Sequence, residues 1–137
     1  MKCLIALILL VVAWPTFADC YATAYTQGAM NACAGAEAGG ARERLEHTVT
    51  MLKQAYRDDE VFIKALMRSQ LLFEKSLEAD TYLKYPNRDP NAYGSVYPMC
   101  QNAYQTGLIE QRIAFLQQWL DGVEEGDVCS GSIKFTP

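Results

Sequence analysis

Nucleophilic catalysis needs an activated side chain with a base in reach, and this chain offers one histidine, His47, set between Glu46 and Thr48. No serine-bearing elbow or glycine-rich turn accompanies it. His47 therefore reads as a surface or half-buried helix residue, and no catalytic residue is assigned. Zinc fares no better, because one histidine and bridged thiols leave no ligand set. Asp58-Asp59-Glu60 and Glu124-Glu125 concentrate carboxylates without the spacing of a calcium loop, and read as solvated acidic corners. No two acids mark themselves as the pair of a glycoside hydrolase. The reading is a protein that is not an enzyme, with no metal and no cofactor.

The cysteines carry the firmer chemistry. Lys2, the apolar run Leu4–Val12, Pro15 and the small residues Thr16 and Ala18 make the three-part layout of a secretory leader with a cut after Ala18. The run is well short of the roughly 20 residues of a spanning helix, so no stable membrane insertion is expected. Asp19 before Cys20 makes a poor lipoprotein signal. The expected division is a signal peptide over 1–18 and one domain over 19–137, periplasmic or secreted. Removing the leader takes Lys2 and Cys3, leaving 11 Lys+Arg against 16 Asp+Glu and four cysteines: Cys20, Cys33, Cys100 and Cys129. An even count in an exported chain reads as two disulfides. The acidic balance argues against nucleic acid and suits a cationic partner.

Tyrosines supply the remaining signal. Tyr85, Tyr93 and Tyr97 lie in or beside a proline-rich segment, with Tyr104 soon after. Tyrosine brings contact area and a hydrogen-bonding tip at low entropic cost, which suits a binding surface. Tyr93, Gly94, Ser95 and Tyr97 are the candidate partner-binding group. The alternative is that these rings cap the end of the core.

These residues must be positioned by helices, since no stretch alternates as a strand does. Over 27–57, Leu45, Val49, Leu52 and Tyr56 recur at helical steps, while Gly35, Gly39 and Gly40 imply either fraying or close packing. A second helix opens at Asp58 or Asp59, which can cap it, and stops at Pro86. Its apolar stripe is Val61, Ala65, Leu72, Ala79 and Leu83, with Phe62, Leu66, Phe73 and Leu77 beside it, so a wide buried face is expected. Pro86–Pro98 reads as a loop. A third helix follows over about 99–121, with Leu108, Ile109, Ile113 and Leu116 inward and Gly122 ending it. The tail to Pro137 should be irregular. The expected fold is all-α: a small antiparallel three-helix bundle stapled by disulfides. In that topology Cys33 and Cys100 share an end and are expected to pair, with the tail bringing Cys129 back to Cys20. Cys20–Cys33 with Cys100–Cys129 is the alternative.

Thr26-Gln27-(x2)-Met30-Asn31 before Cys33, then Gln70-(x2)-Phe73, a Gly94-Ser95 loop, Cys100 and Leu108-(x3)-Arg112-(x3)-Leu116 form a familiar series. Together they resemble the LprI-like lysozyme-inhibitor family over about residues 20–118. Members usually carry Trp where Phe73 stands, a cysteine near Asp80–Thr81, a second glycine at Tyr93 and threonine at Ile109. The resemblance implies an exported helical domain that binds and inhibits cationic lysozyme-type muramidases by occluding their cleft. A periplasmic immunity or chaperone-like partner of another envelope-acting toxin is the alternative.

Overall fold

The computed structural model describes residues 17–89 and 91–136. Four helices account for its regular structure: α1 (Phe17–Thr23), α2 (Gln27–Ala55), α3 (Glu60–Lys84) and α4 (Tyr97–Asp121). The β-type pairing among the described residues is an isolated bridge between Val123 and Phe135. The leader expected over 1–18 lies, except for its last two residues, outside the described residues.

Local chemistry sets the helix ends. Thr26 has extended backbone, and its hydroxyl accepts from the Ala29 amide at 3.1 Å, which starts α2. The Asp59 carboxylate does the same for α3, accepting from the Phe62 amide at 2.9 Å. Tyr85, turned out of helical conformation before Pro86, closes α3. α4 begins at Tyr97, two residues earlier than expected, because Pro98 fits the first turn, where its missing N–H costs nothing. Gly122 ends α4 with φ +77°, and a Cβ there would stand 2.9 Å from the Lys134 carbonyl oxygen. Both the left-handed backbone and the approach of the tail require glycine.

Cross-helix contacts show how the long helices run. Asn31 meets Ser95, Arg42 meets Gln105, Arg44 meets Glu110 and Tyr56 meets Trp119. These numbers rise together, so α2 and α4 advance in the same direction. α3 counts the other way: Thr81 meets Gln105, whereas Ser69 and Gln70 meet Arg112. Three alanines of α2 are buried, whereas Gly35 and Gly39 are not crowded. Ala34, Ala38 and Ala41 are at most 5% exposed, and a Cβ on Gly35 would stand 3.8 Å from the Asn102 amide nitrogen. The stretch is helical throughout rather than frayed, and it is these alanines that pack: a Cβ on Gly35 would make an ordinary contact and one on Gly39 would meet nothing within 4 Å.

The core joins Leu45, Val49 and Leu52 of α2 and Tyr56, which caps its end, to Phe62, Leu66 and Leu77 of α3 and Ile109 and Leu116 of α4. Leu52 and Ile109 are wholly enclosed. The α2 residues are those expected from the sequence, but α3 turns a narrower face inward. Phe62, Leu66 and Leu77 are buried, while Val61, Leu72 and Leu83 are 80%, 54% and 78% exposed, and Ala65 and Ala79 are exposed with them. The rotation of α3 follows its largest side chains. Phe62 stacks on Tyr56 with ring centroids 4.0 Å apart, and Arg112 holds Ser69 and Gln70. An alanine-bearing stripe offers less area to bury than one built of Phe and Leu.

The disulfide pairing also differs from the favoured expectation. Cys20 bonds to Cys33 with 5.8 Å between Cα atoms, tying α1 onto α2, and Cys100 and Cys129 are free. Cys33 and Cys100 do share an end of the molecule, but α1 folds back and sets Cys20 against Cys33. Cys129 stays at the opposite end. There the tail crosses under α2: the Lys134 ammonium donates to the Ala55 carbonyl, its amide donates to the Tyr56 hydroxyl at 3.2 Å, and Trp119 donates to Ser132 at 2.9 Å. Val123 pairs with Lys134 and Thr136, which closes the segment carrying Cys129 into a local loop at that end and keeps it from climbing towards Cys20.

Candidate functional site

The loop between α3 and α4 is organised by short-range hydrogen bonds. The Asn87 carboxamide oxygen accepts from the Asp89 amide at 3.0 Å, and the Asp89 carboxylate accepts from the Asn91 amide at 2.9 Å. Such side-chain turns are what Asn and Asp do best in a segment with no helix to join. Further along, the Tyr97 amide donates to the Gly94 carbonyl at 3.2 Å, and Gly94 takes φ +69°, a conformation that resists other residues.

Aromatic rings set the loop's shape. Tyr85 stands edge-on to Tyr93 at 5.3 Å, to Tyr97 at 5.2 Å and to Tyr104 at 6.5 Å, while Tyr93 and Tyr97 stack on each other at 5.2 Å. The Tyr93 hydroxyl accepts from the Asn87 amide at 2.9 Å, closing the loop on itself. Burial raises the Tyr85 phenol above its ordinary value, and Cys100 and the neighbouring phenols push the same way. Tyr93 and Tyr97 are thus half-buried and mutually supporting, whereas Gly94 and Ser95 are exposed. The four sequence-nominated residues come together, but in two roles: the tyrosines build the loop and Gly94-Ser95 forms its apex. Beside it lies an open groove of about 690 Å³, walled by Glu74, Tyr82, Arg88, Tyr97 and Gln101.

Gly94-Ser95 is pinned from outside the loop by two amide side chains of α2. Asn31 donates from Nδ2 to the Ser95 carbonyl at 2.9 Å, and Gln27 donates to the Asn31 Oδ1 at 2.9 Å, which orients the amide. The motif that carried the resemblance therefore has a single job. Thr26 caps α2, Gln27 orients Asn31, Asn31 holds the apex, and Cys33 staples α1 beside them. Its fixed spacing was the only sign of this in the sequence.

The second part of the resemblance also converges. The Arg112 guanidinium lies 5.4 Å from the Phe73 ring centroid and 5.3 Å from that of Phe115. It donates to Ser69 at 2.9 Å and to Gln70 at 3.3 Å. This fastens α3 to α4 midway along their length. Removal from water lowers the guanidinium's pKa, opposed by Glu74, and the rings and amide compensate part of what it loses in hydration.

His47 is exposed on α2. Asp59 is occupied as a helix cap and Asp58 pairs with Arg57 at 3.5 Å. Cys100 is half-buried and Cys129 is exposed.

The described residues form a disulfide-stapled, all-helical domain with a braced loop between α3 and α4. Against known families, residues 18–116 match the model of lysozyme inhibitor LprI. The chain belongs to that family. Neither a curated protein nor a solved structure matches it.

Proposed function

We propose that this protein is an exported inhibitor of lysozyme-type muramidases, and that it meets its target with the loop around Gly94 and Ser95. Family membership supports the inhibitor class. The observation that carries the site is the exposed Gly94-Ser95 apex, held on one side by the Asn31 amide and on the other by the stacked Tyr93 and Tyr97. An exposed turn held in place before contact loses little entropy on docking. The acidic chain would be steered towards a cationic enzyme. The leader-like N-terminus and the Cys20–Cys33 bridge suit an oxidising compartment outside the cytoplasm. As scaffold we read α2, α3 and α4 as an up-down-up bundle, in keeping with the paired contacts along their lengths.

Lysis of a cell-wall suspension by a cationic lysozyme tests the reading. The parent protein should slow lysis. Ser95→Arg, placing a bulky cation at the apex, should raise the inhibition constant about thirtyfold, the effect of a hot-spot loss near 2 kcal/mol. His47→Ala should inhibit like the parent. Equal inhibition by Ser95→Arg would move the surface off this loop. A parent that neither binds nor slows any lysozyme would remove the inhibitor reading.

A further inference from the structure

The disulfide and the Gly94-Ser95 turn are linked through the start of α2. Cys20 bonds to Cys33, closing a segment with a sequence separation of 13. Inside that segment lie the Thr26 cap and the first turn of α2, Gln27 to Asn31. Asn31 stands two residues before Cys33 and donates to the Ser95 carbonyl at 2.9 Å. Covalent bond, helix start and turn thus form one continuous series. Cys100 and Cys129 are already thiols, so among the described cysteines the bridge is what a reductant changes.

The parts that the bridge holds are weak by themselves. α1 has seven residues, too few for a helix to persist alone. Among its described side chains Tyr21, Ala22 and Thr23 are exposed and Cys20 is half-buried, so the bond is its main tie to α2. The first turn of α2 contains Gly28, a poor helix former, and has amides that no preceding turn can satisfy. Thr26 satisfies one of them, at Ala29. Past Cys33 the helix is secured differently, because Ala34, Ala38 and Ala41 are buried. With the bridge cut, the residues before Cys33 become an ordinary helix end, which frays, while the helix from Ala34 onwards stays packed. Fraying takes Asn31 away from Ser95.

We propose that the Cys20–Cys33 bridge is a redox control of the Gly94-Ser95 turn. Oxidised, it keeps Asn31 against Ser95 and the turn is set; reduced by a dithiol, it lets the turn go. One thiolate of the dithiol attacks the Cys20 sulfur, the more open of the two, since Cys33 is only 3% exposed. The S–S bond breaks, Cys33 leaves as a thiolate and a mixed disulfide forms on Cys20. The second thiol of the reagent then displaces Cys20. Two electrons pass to the protein, its two sulfurs take up protons, and the reagent is left as a disulfide. The consequence for inhibition rests on the turn being the surface that meets the target; the coupling of bridge to turn does not.

Amide exchange of the purified protein, with and without dithiothreitol, reads the coupling. On reduction, exchange at Gly94 and Tyr97, whose amides bond to the Asn91 and Gly94 carbonyls, should accelerate at least about tenfold. The Thr136 amide, bonded to Val123 at the opposite end, should keep its rate, and helicity should fall only slightly. Asn31→Asp should begin with the fast rates and respond to dithiothreitol less than about twofold, because the bridge acts through Asn31. Cys20→Ser should match the reduced parent in either buffer. Inhibition of a lysozyme is compared without reductant, where the inhibition constant of Cys20→Ser should stand about tenfold above the parent's. Unchanged exchange at Gly94 and Tyr97, an equal response in Asn31→Asp, or equal acceleration at Thr136 with loss of helicity would each overturn the proposal. If the turn responds as expected and the parent inhibits no lysozyme, the coupling stands and the inhibitor reading alone falls.

Discussion

The side-chain amide of Asn31 reaches the backbone carbonyl of Ser95 at 2.9 Å, joining the first turn of α2 to the apex of a loop 64 residues later. Gln27 fixes which way that amide points. Asn31→Asp preserves size but removes the donor and turns a carboxylate towards the carbonyl. The stability change should be modest, about 1 kcal/mol by urea denaturation, as for one net hydrogen bond. The loop should respond more. Amide exchange at Gly94 and Tyr97 should accelerate while that at Leu52 stays slow, because α2 and its core contacts are untouched.

Disulfide chemistry gives a second test. Non-reducing peptide mapping should recover Cys20 joined to Cys33 and two alkylated thiols, Cys129 reacting faster than the half-buried Cys100. The bridge closes a loop with a sequence separation of 13, so Cys33→Ser should cost about 2–3 kcal/mol. A peptide joining Cys33 to Cys100 would reject this arrangement.

Arg112 is the third. Its guanidinium serves Ser69 and Gln70 at once and lies near two rings, a geometry that lysine cannot copy. Arg112→Lys should lose about 1 kcal/mol and Arg112→Ala about 2 kcal/mol in chemical denaturation, the hydrogen bonds of a charged group being worth that much. Near-equal stability of the arginine and lysine forms would show that charge alone matters there.

The fourth concerns alkaline pH. The Tyr85 phenol is raised in the folded protein by burial first and by Cys100 and nearby phenols next, from a reference of 10.0. As pH rises past that reference the unfolded chain releases this proton while the folded one keeps it. Folding stability contributed by Tyr85 is therefore whole below about pH 10 and declines above it. Melting temperature followed from pH 8 to pH 11 should fall less steeply in Tyr85→Phe than in the parent.

Much of the scaffold can be read along the chain because its causes are local. Thr26 and Asp59 cap helices, Pro86 and Gly122 end them, and Leu45, Val49, Leu52 and Tyr56 repeat at a period only a helix satisfies. The family, too, is legible, since Thr26, Gln27, Asn31 and Cys33 stand close together. Three other features depend on distances that no local pattern contains. The face α3 turns inward depends on Phe62 finding Tyr56 and on Arg112 finding Gln70, so two adjacent apolar stripes on one helix could not be ranked from their spacing. The partner of Cys33 depends on α1 folding back along α2, and the position of Cys129 on the tail's bonds to Val123, Ala55 and Tyr56. Finally, Tyr93 and Ser95 look alike as loop residues until a half-buried ring cluster makes one of them structure and leaves the other at the surface. Local interactions act within a few residues and leave their mark in spacing; packing acts between residues far apart in sequence, and only the folded chain brings those together.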